Sequence, residues 1–152
     1  MRVVVISGYF NPLHTGHLDY IECAQKLGDT LVVIVNNDKQ VVIKGSSSFM
    51  NESARLRIAG SVKGVSKAIL SIDQDGSVVK TLESIWETYS VDPFFDKMIF
   101  ANGGDRKEGE VPEVKFCEKV GIKAVYGVGG EKVESSSNLI RLKATRSKIR
   151  GM

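Results

Sequence analysis

Short apolar runs recur along the chain, and each is about as long as a buried β-strand. The first, Val3-Val4-Val5-Ile6, consists wholly of branched side chains, which favour extended backbone. Because no polar residue alternates with the apolar ones, this run is typical of a parallel strand that is covered on both faces. Runs of this kind predict five strands, at residues 3–6, 30–36, 67–72, 98–101 and 123–128.

Between these strands the apolar residues repeat at intervals of three and four, as on one face of a helix. Leu18, Ile21, Ala24 and Leu27 follow this spacing after the first strand, and Gly28 ends the pattern. We predict four helices, over residues 16–27, 52–62, 78–89 and 112–120. Thr15 is the expected N-cap of the first helix, and Asn51 is the expected N-cap of the second. The alternation of strands and helices indicates a doubly wound α/β fold with one parallel sheet.

The composition favours one soluble domain. The chain has 152 residues, of which 42% are hydrophobic, so we expect residues 1–152 to form a single domain around one core. No apolar run approaches the ~20 residues that cross a membrane, and a cytoplasmic protein is expected. The formal net charge of +3 suits anionic small molecules and does not require nucleic acid. Cys23 and Cys117 have no close-spaced cysteine partner, which indicates reduced thiols.

Residues 7–17 join the first strand to the first helix and carry the clearest candidate chemistry. Gly8 and Gly16 let the backbone approach a ligand closely, and the unpaired N–H groups at the start of a helix attract phosphate. His14 and His17 are three positions apart, so both imidazoles fall on one side of the opening helical turn. The segment therefore predicts an anion site at the carboxyl end of the first strand.

Two histidines at this spacing also fit exposed surface residues or half of a zinc site. Zinc needs further ligands, but His14 and His17 are the only histidines in the chain. Cys23 and Cys117 are far apart in the sequence and have no cysteine neighbours. A phosphate site is therefore the better interpretation.

The segment from Phe10 to His17, Phe-Asn-Pro-Leu-His-Thr-Gly-His, resembles the His-x-Gly-His signature of the nucleotidyltransferase superfamily. Two later segments occur in that family's order, Gly103-Gly104-Asp105-Arg106 and Ser136-Ser137-Asn138-Leu139-Ile140-Arg141. The resemblance implies a Rossmann-like sheet of five parallel strands in the order 3-2-1-4-5. In that order the first and fourth strands flank the switch point, where open sheets bind ligands.

The same resemblance implies a role for each part of the site. By this resemblance, four residues make the catalytic contacts with the phosphates: His14, His17, Lys44 and Arg141. It assigns nucleotide binding to Gly8, Tyr9, Phe10, Asn11, Gly16, Gly103, Gly104, Asp105, Arg106, Ser136, Ser137 and Asn138. It assigns acceptor binding to Asn36, Asp38 and Arg55. Mg²⁺ is the implied cofactor, without an assigned protein ligand, and small members of the family suggest a homodimer.

Lys44 begins a segment, Lys-Gly-Ser-Ser-Ser, that has little apolar anchoring. We expect residues 43–48 to be poorly ordered in the empty protein and to close when triphosphate and acceptor are both bound. The alternative interpretations are a solvated lysine at this position, an exposed helix residue at Arg55 and a simple turn residue at Asp105.

Two positions depart from the family pattern. Asn138 stands where the family usually has a hydroxyl residue, and this favours a catalytically silent relative. Asn11 stands where many sugar-phosphate and polyol-phosphate members have Asp, and residues 10–12 are instead similar to pyridine-nucleotide adenylyltransferases. The basic tail beyond Leu139 contains no interleaved aromatic residues, so nucleic-acid binding is not expected.

The sequence therefore predicts a magnesium-dependent nucleotidyltransferase that transfers AMP or CMP from ATP or CTP to a phosphorylated sugar or polyol, with diphosphate released. The alternatives are a nucleotide-binding regulator without activity and a pyridine-nucleotide-type adenylyltransferase. Residues 35–38 and 44–45, with Arg55 after them, are similar to heptose-phosphate adenylyltransferases, while the general layout also suits glycerol-phosphate cytidylyltransferases. The choice between ATP and CTP stays open.

Overall fold

The structure, a computed structural model, describes residues 1–104 and 111–129. Its sheet contains five parallel strands in the order β3-β2-β1-β4-β5, as the sequence predicts. The strands are β1 (Arg2–Gly8), β2 (Thr30–Val35), β3 (Lys67–Leu70), β4 (Lys97–Gly103) and β5 (Lys123–Val128). The α/β class and the strand order are thereby confirmed.

Helices cover both faces of this sheet. They are α1 (Thr15–Gln25), α2 (Asp38–Ile43), α3 (Glu52–Gly60), α4 (Val79–Tyr89) and α5 (Val114–Val120). Successive residues of β1 point to opposite faces, so that Val3 and Val5 pack into one core while Val4 and Ile6 pack into another. Helices α4 and α5 contribute to the first core, and α1 and α3 contribute to the second. Burial on both faces explains why the strands are apolar throughout.

The start of α1 differs from the prediction. The N-cap is His14, whose backbone is extended and whose side chain accepts from the N–H of Gly16. Thr15 is the first residue of the helix and is exposed. Histidine is not among the preferred capping residues, so the capping preferences favoured Thr15.

Helix α2 was not predicted, because its six residues are too few for a helical repeat to show. Asn37 caps this helix, and Gln40 completes a capping box with it. An Asn followed three positions later by Gln is the sequence signature of such a box, and this signature could have predicted the start of α2.

The two central strands separate at their carboxyl ends. Pairing between β1 and β4 ends at Val5 and Phe100, three residues before each strand ends. Beyond that point β1 stays paired with β2 up to Gly8, and β4 stays paired with β5 up to Gly103. This separation opens the switch-point crevice in which parallel α/β sheets bind ligands.

The cysteines are free thiols, as expected. Cys23 is half-buried and Cys117 is buried. Burial, together with the nearby carboxylate of Glu113, raises the pKa of Cys117 to about 11, so this side chain stays a neutral thiol near pH 7. None of the helices in the described ranges has the length and apolar character needed to cross a bilayer.

Candidate active site

The two histidines lie at the start of α1, directly after the loop that leaves β1. The Nδ1 atom of His14 accepts from the N–H of Gly16 at 3.1 Å, and the N–H of His14 donates to Nδ1 of His17 at 3.1 Å. The imidazole rings stack with their centroids 3.8 Å apart. Since each Nδ1 accepts a hydrogen bond, the proton of each neutral ring lies on Nε2, and both Nε2 atoms are donors.

The loop before the histidines is shaped by Phe10. This residue has a φ of 49°, is buried, and follows Gly8 by two positions. A Cβ atom on Gly8 would lie 2.8 Å from the Phe10 ring, so only glycine leaves room for that ring. The ring then meets the edge of the His17 imidazole, with 5.0 Å between centroids. The Phe10 ring thus packs against His17 in the space that Gly8 leaves open. The sequence did not indicate this packing role.

Lys44 lies beside this loop and not in an unanchored segment. It is the C-cap of α2, and its Nζ atom lies over the Tyr9 ring, 4.4 Å from the centroid. An ammonium at this distance is attracted by the negative face of the ring. The missed helix α2 accounts for the difference, because it anchors Lys44 where the sequence predicted a loop.

Arg55 is fully buried, which excludes the exposed helix position considered above. Its Nη1 atom donates to the carbonyl oxygens of Tyr9 at 2.9 Å and of Asn36 at 2.6 Å. Its Nε atom donates to the carbonyl oxygen of Met50 at 3.0 Å, and Nη2 forms a 2.7 Å ion pair with Asp38. One guanidinium therefore joins the loops that follow β1, β2 and α2.

The candidate acceptor residues Asn36 and Asp38, like Arg55, form side-chain hydrogen bonds with other residues of the chain. The side chain of Asn36 is buried and donates to Oε1 of Gln40 at 3.0 Å. Burial raises the pKa of Asp38, but hydrogen bonds from Arg55, the Glu52 N–H and other donors outweigh this and hold the pKa below its usual value. Asn36, Asp38 and Arg55 each make side-chain hydrogen bonds within the protein. Acceptor binding by these three residues stays a prediction.

Acid is expected to remove the contribution of Asp38 to stability. Because its pKa is lower in the folded state, the carboxylate stabilises the fold above its unfolded pKa, and this stabilisation is lost as pH falls through the folded value. Its side chain is 39% exposed, so we expect Asp38→Asn to cost about 1 kcal/mol or less at neutral pH.

This cost should begin to shrink as the pH falls toward the ordinary Asp pKa of about 3.9, and it should approach zero only below the lowered pKa of the folded state. Urea unfolding at several pH values measures it. Asp19→Asn, at an exposed position on α1, controls for the loss of one negative charge. A difference that does not change with pH would contradict the role given to Asp38.

On the other side of the crevice, Gly103 ends β4 and Gly104 follows in a turn with a φ of 62°. The hydroxyl of Tyr20, on α1, donates to the carbonyl oxygen of Ala101. A Cβ atom on Gly103 would lie 2.9 Å from the Tyr20 ring, so this glycine makes room for it. No sequence pattern marked Tyr20, which links α1 to β4 where the central strands separate.

Six of the predicted site residues lie outside the described residues. They are Asp105, Arg106, Ser136, Ser137, Asn138 and Arg141. Gly8, Tyr9, Phe10, Asn11 and Gly16 lie on one continuous segment with the histidines.

The arrangement presents hydrogen-bond donors and positive charge at the carboxyl end of β1. The donors are the two Nε2 atoms, of which that of His14 is buried. The positive end of the α1 dipole lies beside them, and the first turn of α1 contains no acidic residue. Lys44 adds a full positive charge next to Tyr9. Such a set stabilises an anion whose charge is spread over several oxygens, as in a phosphoryl group.

Comparison with known proteins points to one family. Residues 5–141 match the family model described as Cytidylyltransferase-like. The FAD synthase of Thermoplasma acidophilum is 34% identical over 119 residues, which are 78% of this chain and 75% of that protein. The bifunctional protein HldE of Actinobacillus succinogenes is 33% identical over 113 residues, which are 68% of this chain and 24% of that protein.

A solved structure is similar as well. The lipopolysaccharide core biosynthesis protein from Thermoplasma volcanium has a TM-score of 0.65 to this chain at 31% identity, over 84% of this chain and 94% of that one. Across six FAD synthases that match, the aligned part ranges from 46% to 75% of the relative's length.

Proposed function

The chain belongs to the cytidylyltransferase-like family of nucleotidyltransferases, and on that basis we propose that it transfers AMP from ATP to the phosphate of FMN, forming FAD and diphosphate. The observation that carries the proposal is the stacked pair of His14 and His17 at the start of α1, with the Lys44 ammonium held against the same loop. The similarity to FAD synthases supports the choice of ATP over CTP and of FMN as acceptor.

In the proposed reaction an oxygen of the FMN phosphate attacks the α-phosphorus of ATP. A new P–O bond forms, the bond from the α-phosphorus to the bridging oxygen breaks, and diphosphate leaves with that electron pair. Negative charge spreads over the phosphoryl oxygens in the transition state. The Nε2–H groups of His14 and His17 donate to these oxygens, while Lys44 neutralises charge on the α-phosphate or the acceptor phosphate.

Magnesium is proposed as a partner of the triphosphate. Among residues 1–104 and 111–129 no three His, Cys, Asp or Glu side chains lie together as a metal site. Mg²⁺ usually keeps several waters and binds through one or two carboxylates plus substrate phosphates, so waters and the triphosphate would supply most of its ligands, and the ion would neutralise part of the phosphate charge.

The proposed acceptor, FMN, differs from the simple sugar or polyol phosphate that the sequence predicted. FMN carries its phosphate on a ribityl chain, which is a polyol, and adds an aromatic ring system. A heptose phosphate is the second candidate, supported by the similarity to HldE and by the resemblance of residues 35–38 and 44–45 to heptose-phosphate adenylyltransferases.

A substrate panel tests both candidates. The chain is incubated with magnesium, ATP or CTP, and FMN, a heptose phosphate or glycerol phosphate, and FAD and diphosphate are quantified. We expect equal amounts of FAD and diphosphate from ATP and FMN alone. Diphosphate from ATP with the heptose phosphate would select the second candidate, and CTP with glycerol phosphate would make the chain a cytidylyltransferase. Diphosphate from no pair would favour the silent regulator.

Phe49 is the residue that we expect to contact the flavin ring. Its side chain is 75% exposed, while its N–H donates at 2.7 Å to the side chain of Asn11. Asn11 lies in the loop between β1 and α1, residues 9–14, which we call the catalytic loop. An aromatic pair contributes about 0.5–1.5 kcal/mol, so Phe49→Ala should raise the KM for FMN roughly two- to twelvefold and leave the KM for ATP unchanged. Phe94→Ala is the matched control, because Phe94 is 79% exposed at the amino end of β4. An unchanged KM for FMN in Phe49→Ala would exclude this contact.

Lys44→Ala is expected to lower kcat by more than roughly tenfold, the scale of one lost electrostatic contact to the transition state. Lys39→Ala is the control, since Lys39 lies on the same helix and its ammonium donates to Gln74. Steady-state kinetics with saturating ATP and acceptor measure both variants. Wild-type turnover in Lys44→Ala would remove this lysine from the site.

Two further expectations stay predictions. They are the closure of residues 43–48 when both substrates bind and the formation of a homodimer.

A further inference from the structure

Asn11 uses both ends of its side-chain amide to hold the segment that follows Lys44. Its Nδ2 atom donates to the carbonyl oxygen of Ser47 at 3.0 Å. Its Oδ1 atom accepts from the N–H groups of Phe49 at 2.7 Å and of Met50 at 3.2 Å. The resemblance assigns Asn11 to the nucleotide, whereas these three contacts are all with the chain itself.

The segment is also held from its other side. The hydroxyl of Ser48 donates to Oδ1 of Asp38 at 3.1 Å, and the N–H of Ser46 donates to the carbonyl oxygen of Val41 at 3.1 Å. Residues 46–50 are therefore fixed between α2 and the catalytic loop. A substitution that removes one or more of the Asn11 contacts weakens one of these two sides.

Lys44 lies two positions before this segment, and its side chain contacts the catalytic loop. Its Nζ atom lies over Tyr9, two positions before Asn11. Tyr9 thus supports the ammonium while Asn11 holds the backbone that follows it. We infer that Asn11 is a positioning residue, which fixes residues 47–50 and through them, together with the end of α2, places the Lys44 ammonium over Tyr9 in the loop that leads to the histidines. The inference rests on the proposed role of Lys44 in the reaction.

The contacts require an amide and not a carboxylate. In Asn11→Asp, Oδ1 can still accept from Phe49 and Met50, but the second oxygen would face the carbonyl oxygen of Ser47 and repel it. The matched control is Asn51→Asp, because Asn51 caps α3 through its Oδ1 atom, a role that Asp performs equally well. It introduces the same negative charge next to the same segment.

Hydrogen exchange of the protein without ligands is the first test. We expect the amides of residues 47–50 to exchange roughly tenfold faster in Asn11→Asp than in Asn51→Asp or the wild type, because an anchoring hydrogen bond is lost. A residue that binds only nucleotide would leave this exchange unchanged, and that result would overturn the inference. The measurement needs no substrate, so its outcome does not depend on whether FMN is the acceptor.

A double-mutant cycle on kcat is the second test. Asn11→Asp should lower kcat roughly fivefold to tenfold with less than about a threefold change in the KM for ATP, and it should add less than about twofold in a Lys44→Ala background. Effects that multiply in the double variant, or a rise in the KM for ATP alone, would overturn the inference by placing Asn11 on the nucleotide.

Discussion

Replacing His17 by alanine is expected to lower kcat by about 10²-fold or more, with only a modest loss of ATP affinity. The reason is that its Nε2–H donates to oxygens whose negative charge grows in the transition state, so the contact is stronger there than in the bound substrate. Determination of kcat and of the KM and Kd for ATP checks the expectation. Unchanged turnover with weaker ATP binding would mean that His17 serves ground-state binding alone.

His17 also has a structural task, and the control must separate it from catalysis. Its Nδ1 atom accepts from the N–H of His14, which closes the capping box of α1. His17→Gln keeps this option, because glutamine at the same helix position can accept from the N-cap N–H, but it removes the imidazole. We expect His17→Gln to restore stability and not turnover. Recovery of turnover in this variant would assign His17 to the helix start alone.

The sheet could be predicted because its strands are buried on both faces. Val3 to Ile6 must be apolar throughout, and such a run is visible in the sequence without knowledge of its partners. The strand at 123–128 agrees with β5 at both ends. The order of the strands came from the family resemblance, since pairing across a sheet leaves no local signal. Helix α2 was missed because one and a half turns show no repeat.

Part of the candidate site could likewise be predicted from the sequence, and part could not. The imidazole pair of His14 and His17 could be predicted because both residues lie on one turn of one segment. The hydrogen-bond partners of Arg55 could not be predicted, because Tyr9, Asn36 and Met50 belong to three separate segments that meet only in the folded chain. A charged residue near the start of a helix is usually exposed, and only these contacts explain its burial.

That burial makes Arg55→Met the substitution with the largest expected effect on stability. It removes the donors to three backbone carbonyl oxygens and leaves Asp38 without its cation. We expect the free energy of unfolding to fall by about 3–5 kcal/mol, toward the lower value because Asp38 is partly exposed. Urea unfolding at pH 7 measures the change.

Arg57→Met is the matched control, because Arg57 lies on the same helix and is exposed, and it should change stability by no more than about 0.5 kcal/mol. Arg55→Lys should recover only part of the loss, since one ammonium cannot replace a planar fork that meets four acceptors. If Arg55 instead served the acceptor phosphate, Arg55→Met would raise the KM for FMN and unfold like Arg57→Met. The two roles therefore predict opposite outcomes, because an arginine whose donors join three loops cannot be removed without loosening them.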